Sequence, residues 1–407
     1  MIEDFPEHLR PYTDKEIPGA MQRIAAHRFF PLVAGIIFPG ITPEEARDKI
    51  LKIKTVFQFQ MEWMYAFNER VISTTMEQFT YDFSPEVKRD RGYLYISNHR
   101  DIILDSSLLQ MVFVYNNLPT SMITYGDNLL INQLAEDIAR SNKMFKVVRK
   151  GNKRALFKNS TLLSEFIRSS VREGNSCWIA QRNGRTKDGI DKTSQALVKM
   201  MAMSGSRKNP VDNYAALNIV PVTMSYEYEP CDYLKTRELL ALSGSDIYEK
   251  EEGEDLNSML TGVTQYKGRV HIHVGDPITR EQLEPYSGED FAAFSARVCD
   301  LIDNQITGNY QYFPSNYVAY DLLHGTTRFS DHYTPEYRSA FIKRMEKLFL
   351  ESGSDIPFAE YLPKTGIYTD TLSPEELQKA REIFLGIYAH SLEAQPLEAQ
   401  PLEAQPL

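Results

Sequence analysis

The sequence predicts an α/β protein: a mixed, largely parallel sheet flanked by helices, with helical extensions at both ends. Short apolar runs rich in β-branched and aromatic residues alternate with helical stretches from Gly92 to about Pro285. Before them, residues 46–71 place apolar side chains every three or four positions. After them, helical periodicity returns over 289–306 and 335–351. Four units follow: a helical region over 1–88, an α/β unit over 89–285, a second helical region over 286–390, and a repeat tail over 391–407.

Each element has a local reason. Thr42-Pro43-Glu44-Glu45 starts a helix with a hydroxyl cap, a proline in the first turn and a glutamate three residues after the cap. Ala46, Ile50, Ile53, Phe57, Met61, Met64, Phe67 and Val71 then predict one long amphipathic helix, broken at most once and ending before Asp82. Ser84-Pro85 marks the next boundary. Strands are predicted over 93–97, 121–125, 146–148, 176–180, 219–225 and 269–274, and helices over 103–115, 132–141, 153–172 and 194–203. The acidic stretch 249–255 reads as a solvated loop or helix end. Ser373-Pro374-Glu375-Glu376 opens a last helix to about His390. The tail repeats Leu-Glu-Ala-Gln-Pro. Its regular prolines prevent a helix and its pattern offers no core, so it is predicted to be disordered.

Composition narrows the function. The chain has 407 residues, 42% hydrophobic and 25% charged, which suits a large globular core. A formal charge of -10 argues against nucleic-acid binding by bulk charge. Cys177, Cys231 and Cys299 fit no metal or redox spacing and read as buried free thiols. The acidic start lacks the order of a signal peptide. The apolar run 29–41 is interrupted by Pro31, Gly35, Pro39 and Gly40 and is too short to span a bilayer. It reads either as a membrane-surface segment or as a packing segment.

The chemistry concentrates in four blocks. The first is Asn98-His99-Arg100-Asp101-Ile102-Ile103-Leu104-Asp105, where an imidazole ends a strand and carboxylates open a helix. The second runs from Gly126 to Leu130 and on through Met144 to Lys150. The third contains Arg182 and Gly184-Arg185-Thr186-Lys187-Asp188-Gly189. The fourth is Val220-Pro221-Val222-Thr223-Met224-Ser225-Tyr226-Glu227. A histidine at a strand end can take a proton from a hydroxyl near neutral pH. Between Arg140 and Arg154 lie seven basic residues and no acidic one, a field that would draw in an anion or an anionic surface. His271 and His273 share one strand face, a spacing that can bind zinc. The sequence offers no cysteine or carboxylate set beside them, so no metal is expected. His99-Arg100-Asp101 also matches the kinase catalytic triplet, but the remaining kinase signatures are missing.

In order and spacing the four blocks resemble the glycerol-3-phosphate and lysophosphatidic acid acyltransferases of phospholipid synthesis, over roughly residues 90 to 280. The resemblance implies the glycerolipid acyltransferase fold. It also implies transfer of a fatty acyl group from an acyl donor to an acceptor hydroxyl, with no cofactor. The donor would be acyl-CoA, acyl carrier protein or acyl phosphate. The acceptor would be glycerol-3-phosphate or a lysophospholipid. The expected location is cytoplasmic, at the inner face of the membrane. His99 becomes the general base and Asp105 its orienting carboxylate, with Asp101 as the alternative. Arg185, Lys187, Arg149 and Arg100 become phosphate ligands, supported by Asn98, Gly184 and Pro221.

Two departures stand out. One residue more separates His99 from Asp105 than in the family pattern, and Arg182 stands where the family carries glutamate. A non-catalytic phosphate or lipid binder of the same fold is the alternative reading.

Overall fold

A computed structural model describes residues 2–127, 132–148, 151–244, 248–250, 253–350 and 372–393. Its centre is a seven-stranded sheet in the order β1-β7-β6-β2-β5-β3-β4. The strands are β1 Met76–Phe83, β2 Leu94–Ser97, β3 Met122–Gly126, β4 Met144–Val147, β5 Cys177–Ala180, β6 Ile219–Tyr226 and β7 Gly268–Val274. Strands β6, β2, β5, β3 and β4 run parallel. β7 is antiparallel to β6 and parallel to the edge strand β1. The sheet is therefore mixed and largely parallel, with helices on both faces.

Alternation along β2 builds two cores. Leu94 and Ile96 face one side and pack with Phe166 and Ile167 of helix Lys153–Arg172 and with Val298 and Ile302 of helix Phe291–Gly308. Tyr93 and Tyr95 face the other side and pack with Leu108, Val112 and Phe113 of helix Leu104–Tyr115. A central strand buried on both faces needs apolar residues at every position, which is why these strands read as continuous apolar runs. Pro221 lies inside β6 without breaking it. Its carbonyl accepts from the Gly275 amide at 3.0 Å, beyond the last β7 pair at Val222–Val274, so its missing donor costs no ladder bond.

The N-terminal region differs from the long helix predicted. It forms helices Pro43–Leu51 and Val56–Phe59, a π-turn Gln60–Met64, and helix Tyr65–Thr75. The break falls at Thr55, an extended residue whose hydroxyl caps the Gln58 amide. The greater correction is β1. Phe79, Tyr81 and Phe83 alternate with polar residues, a period of two that the preceding helical stripe overshadowed.

The apolar run 29–41 forms helix Phe30–Ile37. Phe30, Ala34 and Ile37 are buried, and the Phe30 ring stacks on Trp63. Among the described residues no helix is long and apolar enough to cross a membrane. The three cysteines are free and buried.

Of the C-terminal helices, Pro314–His324 meets the α/β unit where Ser315 Oγ donates to the Glu227 carbonyl, and Pro335–Leu350 and Pro374–Glu393 meet it at Asp232. This carboxylate accepts from the Tyr388 hydroxyl at 2.7 Å and Arg344 Nη2 at 3.1 Å. The repeat from residue 394 onward lies outside the described residues, as do Asn128, Leu129, Leu130, Arg149 and Lys150.

Candidate active site

The site forms at the carboxyl end of β2, where a ligand cleft is expected in an open α/β sheet. Asn98 leaves the strand and is clamped to β6. Its Nδ2 donates to the Met224 carbonyl at 3.0 Å, and its Oδ1 accepts from the Met224 amide at 2.7 Å. His99 follows, mostly buried, with 13% of its side chain exposed.

The Asp105 carboxylate is fully buried and meets four donors. Oδ2 lies 2.9 Å from His99 Nδ1 and accepts from the amides of Arg100 at 2.6 Å and Asp101 at 2.9 Å. Oδ1 accepts from the Tyr226 hydroxyl at 2.9 Å. Burial, then the Asp105 charge, raises the Tyr226 phenol well above its ordinary range, so it remains a donor. A carboxylate among such donors serves as an acceptor. His99 must then carry its proton on Nδ1, which leaves Nε2 bare as a base. The Trp178 indole packs edge-on to the imidazole, 6.2 Å between centroids.

Asp101, the alternative orienting group, is used otherwise. Its Oδ1 accepts from the amides of Ile103 and Leu104, both at 2.8 Å, and so caps the start of the helix. That capped turn absorbs the extra residue between His99 and Asp105. Burial pushes the Asp101 carboxyl up, and the neighbouring Asp105 charge adds to the shift.

The expected phosphate ligands are placed less simply. Arg100 is 1% exposed and is held by Asp191 at 2.6 Å and Glu229 at 3.3 Å. Its charge is neutralised inside the protein by these two carboxylates. Lys187 is half-buried and paired with Glu238. Burial lowers its pKa, opposed by that glutamate. Arg185 is buried. Its Nη2 donates to Ser258 Oγ at 3.1 Å, while Nη1 has no hydrogen-bond partner among the described residues. Arg149 lies outside the described residues. Gly184 adopts φ +78°, the left-handed turn that lets the loop reverse after β5. The basic run 140–154 is partly internal. Arg140 donates to the Arg10 and Glu7 carbonyls, and burial lowers the Lys143 pKa to about 8.

Asp191, which sequence reasoning passed over, and Arg182, which it set apart only as a departure, complete the site. Asp191 accepts from Asn98 Nδ2, Arg100 Nη2 and Thr186 Oγ1, joining the first and third blocks. Arg182 lines the cleft at His99 and has no ion-pair partner among the described residues. Its departure from the family pattern was the available signal.

The cleft encloses about 270 Å³ and is walled by His99, Trp178, Arg182 and Asn183. A second cavity of about 270 Å³ is lined by Val33, Ile37, Trp63, Phe67, Ile103 and Met259. Ile102, Ser106, Tyr125 and Met144 line both.

Replacing Arg100 with methionine would leave Asp191 buried without its ion-pair partner and Glu229 with Lys235 alone. Urea unfolding should show a loss of roughly 3–5 kcal/mol. A variant of unchanged stability would instead return Arg100 to a ligand-binding role.

No family model matches the sequence, and no curated protein matches it. Seven chains of solved structures match. One is the crystal structure of the 1-acyl-sn-glycerophosphate (LPA) acyltransferase PlsC from Thermotoga maritima. It matches with a TM-score of 0.36 and 13% identity, over 72% of this chain and 96% of that one.

Proposed function

We propose that this chain is an O-acyltransferase that moves a fatty acyl group to the hydroxyl of glycerol-3-phosphate or lysophosphatidic acid at a membrane surface. The observation that carries this reading is the His99–Asp105 contact at the edge of a cleft that also holds Arg182 and adjoins an apolar cavity.

His99 Nε2 takes the proton from the acceptor hydroxyl as the oxygen bonds to the carbonyl carbon of the acyl donor. The tetrahedral intermediate collapses, the bond from carbon to the leaving group breaks, and the imidazolium returns its proton to that group. Asp105 stabilises the imidazolium in between. Arg182 meets the acceptor phosphate from the cleft wall, and Arg185, whose Nη1 has no hydrogen-bond partner among the described residues, is the second cation. The acyl chain fills the apolar cavity, where each buried methylene contributes about 0.8 kcal/mol.

The test is an acyl-transfer assay on the purified chain, crossing both acceptors with acyl-CoA, acyl carrier protein and acyl phosphate donors. His99→Ala should lose turnover by a factor on the order of 10²–10⁴. Asp105→Asn should fold, since an amide can accept from both backbone N–H groups and donate to the Tyr226 oxygen. It should lose activity by a similar factor through the missing charge. A wild type that binds acceptor and turns over no donor would establish the non-catalytic binder.

Arg182→Ala should raise the acceptor KM by roughly tenfold or more, with the smaller effect on kcat. Ala139→Phe, projecting into the apolar cavity, should shift preference toward shorter acyl donors in a chain-length series. An unchanged chain-length profile would place the acyl group elsewhere.

A further inference from the structure

The unpredicted strand β1 brings a carboxylate to the two histidines of β7. Asp82 pairs with His273 in the β1–β7 ladder, and Thr80 pairs with His271. Asp82 Oδ2 lies 3.4 Å from His271 Nε2 and 3.9 Å from His273 Nδ1. One ligand atom from each of the three residues lies within 4.8 Å of the others. These separations exceed an ordinary hydrogen bond. They approach the spacing of roughly 3.3 Å between ligands that surround a tetrahedral zinc ion with bonds of about 2.0–2.1 Å.

We propose that Asp82, His271 and His273 form a binding site for a divalent transition metal, zinc by its ligand chemistry. Two imidazole nitrogens and a carboxylate oxygen are a donor set that suits zinc, with a fourth position left to water. The site is also supported from behind. Thr80 Oγ1 lies 2.9 Å from His271 Nδ1, and a proton held in that contact leaves Nε2 bare toward the metal. His271 is 7% exposed and fixed in the sheet, whereas the Asp82 side chain is 70% exposed and free to close on an ion. Opposite on β6 stand Ser225 and Thr223, so the site lies on the sheet face turned away from helix Leu104–Tyr115 and Asp105. The ion would pin the edge strand β1 to β7.

Zinc chloride titrated into the full chain by calorimetry should give one saturable equivalent, and Co(II) should give the strong visible absorption of a four-coordinate ion. Asp82→Asn and His273→Gln, both outside the tightly packed core, should each weaken binding at least about tenfold with an unchanged circular dichroism spectrum. His99→Ala should bind as wild type does. Zinc should raise the melting temperature of wild type but not of His273→Gln. The site is overturned if no saturable equivalent appears, or if binding persists unchanged in both Asp82→Asn and His273→Gln.

Discussion

The Asp105 carboxylate governs the geometry of the site. It is wholly buried, and such a charge is tolerated only where donors replace the water it has lost. Here they come from three places: the turn after β2, the imidazole of His99, and the Tyr226 hydroxyl on β6. Holding the carboxylate therefore fixes the turn, the ring and the strand against one another. The tautomer of His99 follows from the same arrangement, as does the direction of its free nitrogen. A carboxylate one turn further along the helix could not meet the two backbone amides and the ring together.

Around this acceptor lies a second buried network that sets the scaffold. Arg100 spans Asp191 and Glu229, and Lys235 donates to the Arg100 carbonyl at 2.7 Å while pairing with Glu229. Two cations and two anions balance without reaching solvent. Such a network adds little net stability compared with apolar packing, but removing one member leaves a charge unpaired. Its consequence is positional. It joins the β2 turn to the third block and to helix Asp232–Leu242, so the cleft wall cannot move independently of the base. Gly189 tightens the same wall from outside, where a Cβ would stand 2.5 Å from the Ile387 carbonyl of the last helix.

Much of the fold was legible because its signals are local. Alternating apolar runs located β2, β3, β5, β6 and β7 to within a residue or two, and Thr42 announced its helix by a capping box that the structure contains. The His99–Asp105 pairing was also readable, since a strand end and a first helical turn lie close in sequence. What the sequence left hidden was non-local. Arg100 looked like a free cation because its partners Asp191 and Glu229 stand 91 and 129 positions away. Strand β1 was masked by a helical stripe that overran it, and with it went Asp82, whose strand neighbour Thr80 stands 191 positions before its contact His271. The partner of Lys187 was hidden in the same way: a helix distant in sequence supplies Glu238.

The contrast between the two members of the dyad is itself functional logic. Asp105 has no exposure, so its field acts on the imidazole through a medium of low polarisability. His99 keeps 13% of its side chain open and lines the cleft of about 270 Å³. On one side the ring faces a cleft with a guanidinium, and past Ile102, Ser106, Tyr125 and Met144 lies an apolar cavity. A molecule with one anionic end and one aliphatic end has a single low-energy way to lie across such a boundary, because reversing it would bury the charge and expose the chain. On the proposed reading, a polar acceptor and an aliphatic donor meeting there would be oriented by the same rule, with their reacting atoms brought together beside the bare nitrogen.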